Sequence, residues 1–253
     1  MGRKKITISP EEVKLAEIQE KKSAIFKSIK VNIKAKNDKQ KLYWKNLRDT
    51  NKQIVIGSGS PGTGKSYLSL AYALKALKDG DTDRIIIVAP TCPAGGKDLD
   101  LGFLKGDMQT KLAPYQDADT FTMEKILLNG GTENPTDILN YLIKEGYIKW
   151  ELVNFLLGKT FDRSLLLVNE AEQYTKENMR LILTRIGEYS KFVISGDARQ
   201  VNRKSIINKN DECGLTYICD KFKGFEEVSI TEFNDSDIVR NPLITKILKA
   251  FDD

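Results

Sequence analysis

Short apolar runs separated by polar, glycine-rich breaks set the rhythm of this chain. Ile54 to Ile56, Arg84 to Val88, Leu165 to Val168 and Lys191 to Ser195 are mostly apolar, the pattern of strands buried on both faces of a parallel sheet. Tyr147 to Leu152 and Glu226 to Phe233 are expected as further strands. Helical spacing fills the gaps: Tyr67 to Leu77, a segment capped by Thr175, Lys204 to Lys223 and a closing stretch from Pro242 to Phe251. From Leu101 to Glu145 the spacing is again helical, with breaks at Gly106, Pro114, Gly130-Gly131 and Pro135. That predicts an insertion of short helices, clearest over Asp107 to Tyr115 and Thr136 to Glu145. Strands alternating with helices predict an α/β fold, a three-layer sandwich around a largely parallel sheet.

The N-terminal stretch has a different texture. Ser9-Pro10-Glu11-Glu12 places a capping serine, a first-turn proline and a third-position glutamate in order, so a helix is expected from Pro10 to about Ile29. Its apolar residues form a ragged stripe. Val31 to Lys36 alternates apolar and basic residues and fits a short edge strand or a linker, and Lys39 to Leu47 should bring Gln40, Tyr43 and Trp44 up to the first core strand. The expected division is a basic helical extension over residues 1–36 and one α/β domain over 37–253, with the helical insertion at about 101–145.

Charge sharpens that division. Residues 1–53 hold 15 Lys or Arg against 6 Asp or Glu, whereas the whole chain holds 40 against 35, so basic character is confined to the part before residue 54. Contact with nucleic acid and a solvated lysine-rich helix both account for it. No segment has the length of a membrane span or a signal peptide. Three cysteines (Cys92, Cys213, Cys219), without CxxC spacing and without any histidine, point to a reduced, cytoplasmic protein lacking a structural metal cluster.

The break after the first strand carries chemistry. Gly59-Ser60-Pro61-Gly62-Thr63-Gly64-Lys65-Ser66 has the spacing G-x-x-x-x-G-K-[ST] between a strand and a helix. Backbone N–H groups and the helix N-terminus there surround phosphates, Lys65 reaches the outer phosphates and the Ser66 hydroxyl takes Mg²⁺. ATP and Mg²⁺ are the expected ligands. A second acidic strand end is then needed, and Leu165 to Val168 runs into Asn169-Glu170. Glu170 fits a water-activating base, whereas Asn169 stands at the metal position and brings no charge. Ser195-Gly196-Asp197-Ala198-Arg199-Gln200 gives a third polar strand end, with Asp197 and Gln200 in the GD-x-x-Q pattern of a γ-phosphate sensor.

In order, Gln40, the loop Gly59 to Ser66, Gly102-Phe103-Leu104 with Gly106-Asp107, Leu157 to Phe161, Glu170-Ala171, Thr184 to Gly187, Gly196-Asp197 with Gln200, and Asp237 to Leu243 resemble PhoH-like ATPases over about residues 37–251. The resemblance implies a P-loop NTPase of RecA-like type, related to superfamily-one helicases. It also implies ATP hydrolysis linked to single-stranded RNA or DNA, a homo-oligomeric ring, and a compact form similar to those of tailed bacteriophages. By the same resemblance Gln40 reads the adenine edge, and Arg240, secondarily Arg185, is an arginine finger offered by a neighbouring subunit. Three departures stand out. Asn169 replaces the family's aspartate, Leu157 stands where an arginine usually precedes Gly-Lys/Arg-Thr, and the loop Gly95 to Leu101 is longer than usual. With Asn169 in place, a nucleotide-clamped binding or assembly protein of negligible turnover is the alternative to an active enzyme.

Overall fold

The computed structural model describes residues 10–90, 108–200 and 213–239. Six parallel strands form one sheet: β1 (Ile54–Gly59), β2 (Arg84–Ala89), β3 (Ile148–Leu152), β4 (Ser164–Val168), β5 (Lys191–Gly196) and β6 (Val228–Phe233). Their order across the sheet is β3-β2-β4-β5-β1-β6. The strand ending in the phosphate loop, β1, is thus separated from the acid-tipped β4 by one strand, β5. Ile56 pairs with Ile194, which pairs with Val168, so the polar ends of all three lie side by side.

Seven helices are described: α1 (Pro10–Ser28), α2 (Asp38–Arg48), α3 (Lys65–Asp79), α4 (Met108–Gly130), α5 (Pro135–Lys144), α6 (Lys176–Leu183) and α7 (Gly214–Lys221). Because side chains alternate along a strand, Ile85 and Ile87 face one layer while Ile86 and Val88 face the other. The first layer holds Tyr43, Leu70, Leu74, Met123 and Leu139, from α2 to α5. The second holds Met179, Ile182, Leu215 and Ile218, from α6 and α7. This is the three-layer α/β sandwich expected. Each fully buried Leu or Ile contributes about 1.5–3 kcal/mol, which outweighs the weak propensity of the shorter helices.

Pro114 does not break the chain as expected. It lies inside α4, a single 23-residue helix rather than a series of short ones. The lost hydrogen bond and ring clash cost about 3 kcal/mol, and they are offset by burial of Leu112, Met123, Ile126 and Leu127 along the same helix. The helix stops at Gly130, where a Cβ would sit 1.9 Å from the Lys30 carbonyl oxygen, and Gly131 turns the chain at φ +83°. That close approach ties the N-terminal segment to the core. Lys30 N–H donates to Thr132 Oγ1 at 2.9 Å, Ile29 is fully buried, and Phe26 meets Tyr147 edge-on at 5.1 Å. Residues 31–36 form a linker and no strand, with Val31 and Ile33 packed on the core. The last strand starts at Val228 rather than Glu226. The expected closing helix, Pro242 to Phe251, and the first part of Lys204 to Lys223 fall outside the described residues. No helix among the described residues is long and apolar enough to cross a membrane.

Candidate functional site

The loop after β1 is shaped by three glycines in conformations other residues rarely take: Gly59 at φ +120°, Gly62 at +79° and Gly64 at +89°. Gly59 is also sterically required, since a Cβ would lie 1.9 Å from the Phe233 carbonyl oxygen. Gly64 opens α3 without any side-chain cap, so the amide donors of its first turn have no side chain bonded to them. A helix start of this kind fits phosphate. Ser60 and Thr63 are fully buried and hold the loop from behind, with Thr63 Oγ1 donating to the Ser60 carbonyl at 2.9 Å.

Lys65 is folded back onto the loop. Its Nζ donates to the carbonyls of Gly59 at 2.6 Å and Ser60 at 2.8 Å. Burial pulls its pKa down to about 8, and the charges of Asp197, Glu170 and Glu172 only partly counter this. An incoming anion would favour the ammonium form. Gln40 locks the loop from the other side. Asn37 caps α2 by accepting from Gln40 N–H at 2.8 Å, the Gln40 side-chain NH₂ donates to the Thr63 carbonyl at 2.8 Å, and its Oε1 accepts from Lys36 N–H at 2.8 Å. Each end of the amide retains one further hydrogen-bonding position, although Gln40 is only 4% exposed.

Arg199 fastens the loop to the β5 and β6 ends, donating to Ser60 Oγ at 2.5 Å and to Asp235 Oδ1 at 3.0 Å, with Asp197 Oδ1 at 3.4 Å. Asp197 N–H donates to the Glu172 carboxylate at 2.9 Å. Glu172 is nearly fully buried. Burial, then its hydrogen bond and repulsion with Glu170, raise its pKa well above the carboxylate range. Glu170 itself is held at φ +51°, a conformation uncommon for a non-glycine residue and of a kind concentrated at functional sites. Asn169 accepts from Ser195 Oγ at 2.9 Å and donates its side-chain NH₂ to Asp119 Oδ1 at 3.4 Å.

These groups surround two adjoining spaces. A cavity of about 730 Å³ is lined by Gln40, Pro61, Gly62, Gly64, Lys65, Ser66, Glu170 and Asp197, which brings most of the sequence-predicted residues together. A smaller one, of about 320 Å³, is lined by Asn169 and Asp119 and shares Ser66, Thr122 and Glu170 with the first. Gln200 ends the short turn Ala198–Gln200 after β5, and its side chain lies outside the described residues, as does all of Arg240. Arg185 is not brought to the site. It sits before β5, at the amino ends of the strands, bonded to the Lys159 carbonyl at 3.3 Å and Thr184 Oγ1 at 3.1 Å. Glu172, Arg199 and Asp119 were not anticipated from the sequence. The Glu170-x-Glu172 spacing and the Gly196-to-Gln200 string carried a signal for the first two, but Asp119 looked like any polar helix residue.

A phosphate loop on β1, one intervening strand and an acid-tipped β4 define a nucleotide-binding α/β protein of the P-loop class. The family model described as "PhoH-like protein" matches residues 32–252, slightly more than the span legible in the sequence, and the chain belongs to that family. It is 34% identical over 199 residues to a "PhoH-like protein" of Bacillus subtilis (strain 168), covering 79% of this chain and 58% of that protein. To "Protein PhoH" of Escherichia coli (strain K12) it is 31% identical over 221 residues, covering 87% and 58%. A "PhoH-like protein" of Synechocystis sp. is 29% identical over 220 residues, covering 87% and 62%. The chain therefore spans about six-tenths of the length of these relatives.

Proposed function

We propose that this chain binds ATP with Mg²⁺ and hydrolyses it, and that the nucleotide state is coupled to a contact with single-stranded RNA or DNA. The observation that carries this reading is the meeting of Lys65, Ser66, Glu170 and Asp197 around one cavity large enough for a nucleotide. The donor set fits the metal as well, because Ser66 and Glu170 offer hard oxygen atoms beside the loop. When bound, Mg²⁺ neutralises the outer phosphates and aligns them for in-line attack.

The chain's own residues supply the rest. Lys65 exchanges the Gly59 and Ser60 carbonyls for phosphate oxygens, which restores its full charge. Glu170 accepts a hydrogen bond from the attacking water and orients it. Gln40 offers its remaining donor and acceptor to the adenine edge. A homo-oligomeric ring would let Arg240 of one subunit reach the phosphates of the next. Arg185, at the far end of the sheet, is a second such candidate. The basic N-terminal segment supplies the charge for a nucleic-acid backbone.

The test is phosphate release with and without single-stranded RNA or DNA, in this chain and in Asn169→Asp. Stimulation by nucleic acid in either chain is expected. Equal, slow release by both, indifferent to nucleic acid, overturns the reading. One observation favours a second, nucleotide-clamped reading: the residue at the metal position is an amide. Negligible release that appears only in Asn169→Asp would select it. Oligomer size with and without ATP tests the ring.

A further inference from the structure

We infer that Asp119 supplies to the metal side of the nucleotide site the carboxylate that position 169 lacks. The inference rests on the Mg·ATP reading above. Asp119 projects from α4, 50 residues before Asn169, yet its Oδ1 lies 3.4 Å from the Asn169 side-chain nitrogen. Its Oδ2 is fixed by Trp150, whose indole N–H donates at 2.9 Å. One oxygen is thus anchored, and among the described residues the other has a long bond to an amide.

The surroundings suit a cation. Asp119 shares the cavity of about 320 Å³ with Ser66, Asn169 and Glu170, and Ser66 and Glu170 also line the larger cavity beside Lys65. Among the described residues the hydrogen-bond donors to Asp119 are Trp150 and Asn169, both uncharged. A half-buried carboxylate whose described hydrogen-bond donors are both uncharged favours a nearby cation, and a divalent cation is one the adjoining oxygens can hold. No group of three or more His, Cys, Asp or Glu forms a ready-made metal cage among the described residues. The ion would instead arrive hydrated and carried by phosphates, held by the Ser66 hydroxyl, with Asp119 accepting from its water shell. Asn169 then acts as a positioning residue, its amide linking Ser195 to Asp119.

The test titrates Mn²⁺ into the complex with a non-hydrolysable ATP analogue, reading free Mn²⁺ by electron paramagnetic resonance. Asp119→Asn should lower Mn²⁺ affinity by roughly ten- to hundredfold, and adding Asn169→Asp to that variant should restore most of it. Asn169→Asp alone, which leaves the Trp150 contact untouched, should raise affinity less than threefold, since the charge is already present. Equal Mn²⁺ affinity in the parent and Asp119→Asn, with the analogue bound to both, overturns the inference and leaves the ATP reading standing. So does a large gain from Asn169→Asp alone. Failure of the parent chain to bind the analogue, with or without metal, overturns the ATP reading and this inference with it.

Discussion

The carboxyl ends of β1 and β4 lie one strand apart and form two halves of one site, but they are built on opposite terms. The β1 half is self-satisfied: Lys65 bonds the loop's own carbonyls, and Gln40 bonds Thr63 and Lys36. The β4 half is not. Glu172 is raised well above the carboxylate range by burial and by Glu170, Asp119 is raised to about pKa 6 by burial despite its bonds to Trp150 and Asn169, and Asp119's hydrogen-bond donors among the described residues are uncharged. The β1 half must exchange internal bonds for ligand bonds, whereas Asp119 in the β4 half has uncharged donors alone among the described residues. On the proposed function, the first sets binding and the second metal and turnover.

The largest expected effect separates these roles. Glu170→Gln should lower turnover by about 10²–10⁴-fold while retaining nucleotide affinity. Single-turnover phosphate release alongside calorimetric binding checks it, and equal loss of both would erase the distinction between the halves. Next comes Lys65→Ala, which removes two charge-assisted bonds and should weaken nucleotide binding by about a hundredfold or more. Full retention of affinity would sink the phosphate-loop assignment.

Smaller effects probe the supports. Gln40→Ala leaves the Thr63 carbonyl and Lys36 N–H without their partner and should cost about 1–3 kcal/mol in unfolding free energy, measured by urea titration. No loss would mean the loop holds its shape without α2. The smallest effect is a pH slope. Because folding raises the proton affinity of Glu172, its contribution is fully present at acid pH and is lost as pH rises above the ordinary carboxylate range. Glu172→Gln can still accept from Asp197 N–H and donate to Glu170. It should therefore gain on the parent between pH 5 and pH 8 by on the order of 3 °C in Tm. A constant difference across that range would mean that folding does not raise the proton affinity of Glu172.

Legibility followed the same divide. The strands and the phosphate loop were readable because their signals are local, in apolar runs and in glycines that must take positive φ. The alternation of Ile85 and Ile87 with Ile86 and Val88 between two layers was implicit in a strand buried on both faces. Pro114 misled because a local breaker was overridden by core burial elsewhere on its helix. Asp119 and Glu172 were opaque for the converse reason, since a polar residue gains meaning only from what folds against it. The sheet places Arg185 at the amino ends of the strands, away from its own chain's site, so only a neighbouring subunit could use it as the sequence reading supposed.

By itself the sequence determined that a strand, a phosphate loop and a helix succeed one another, with Lys65 and Ser66 opening the helix and Glu170 and Asp197 following strand ends, because each depends on residues adjacent in the chain. Only the tertiary structure decided which carboxylate stands beside Asn169. The parallel sheet gathers strand ends from distant segments, and α4 crosses them at Asp119, a contact 50 residues apart that no local pattern encodes.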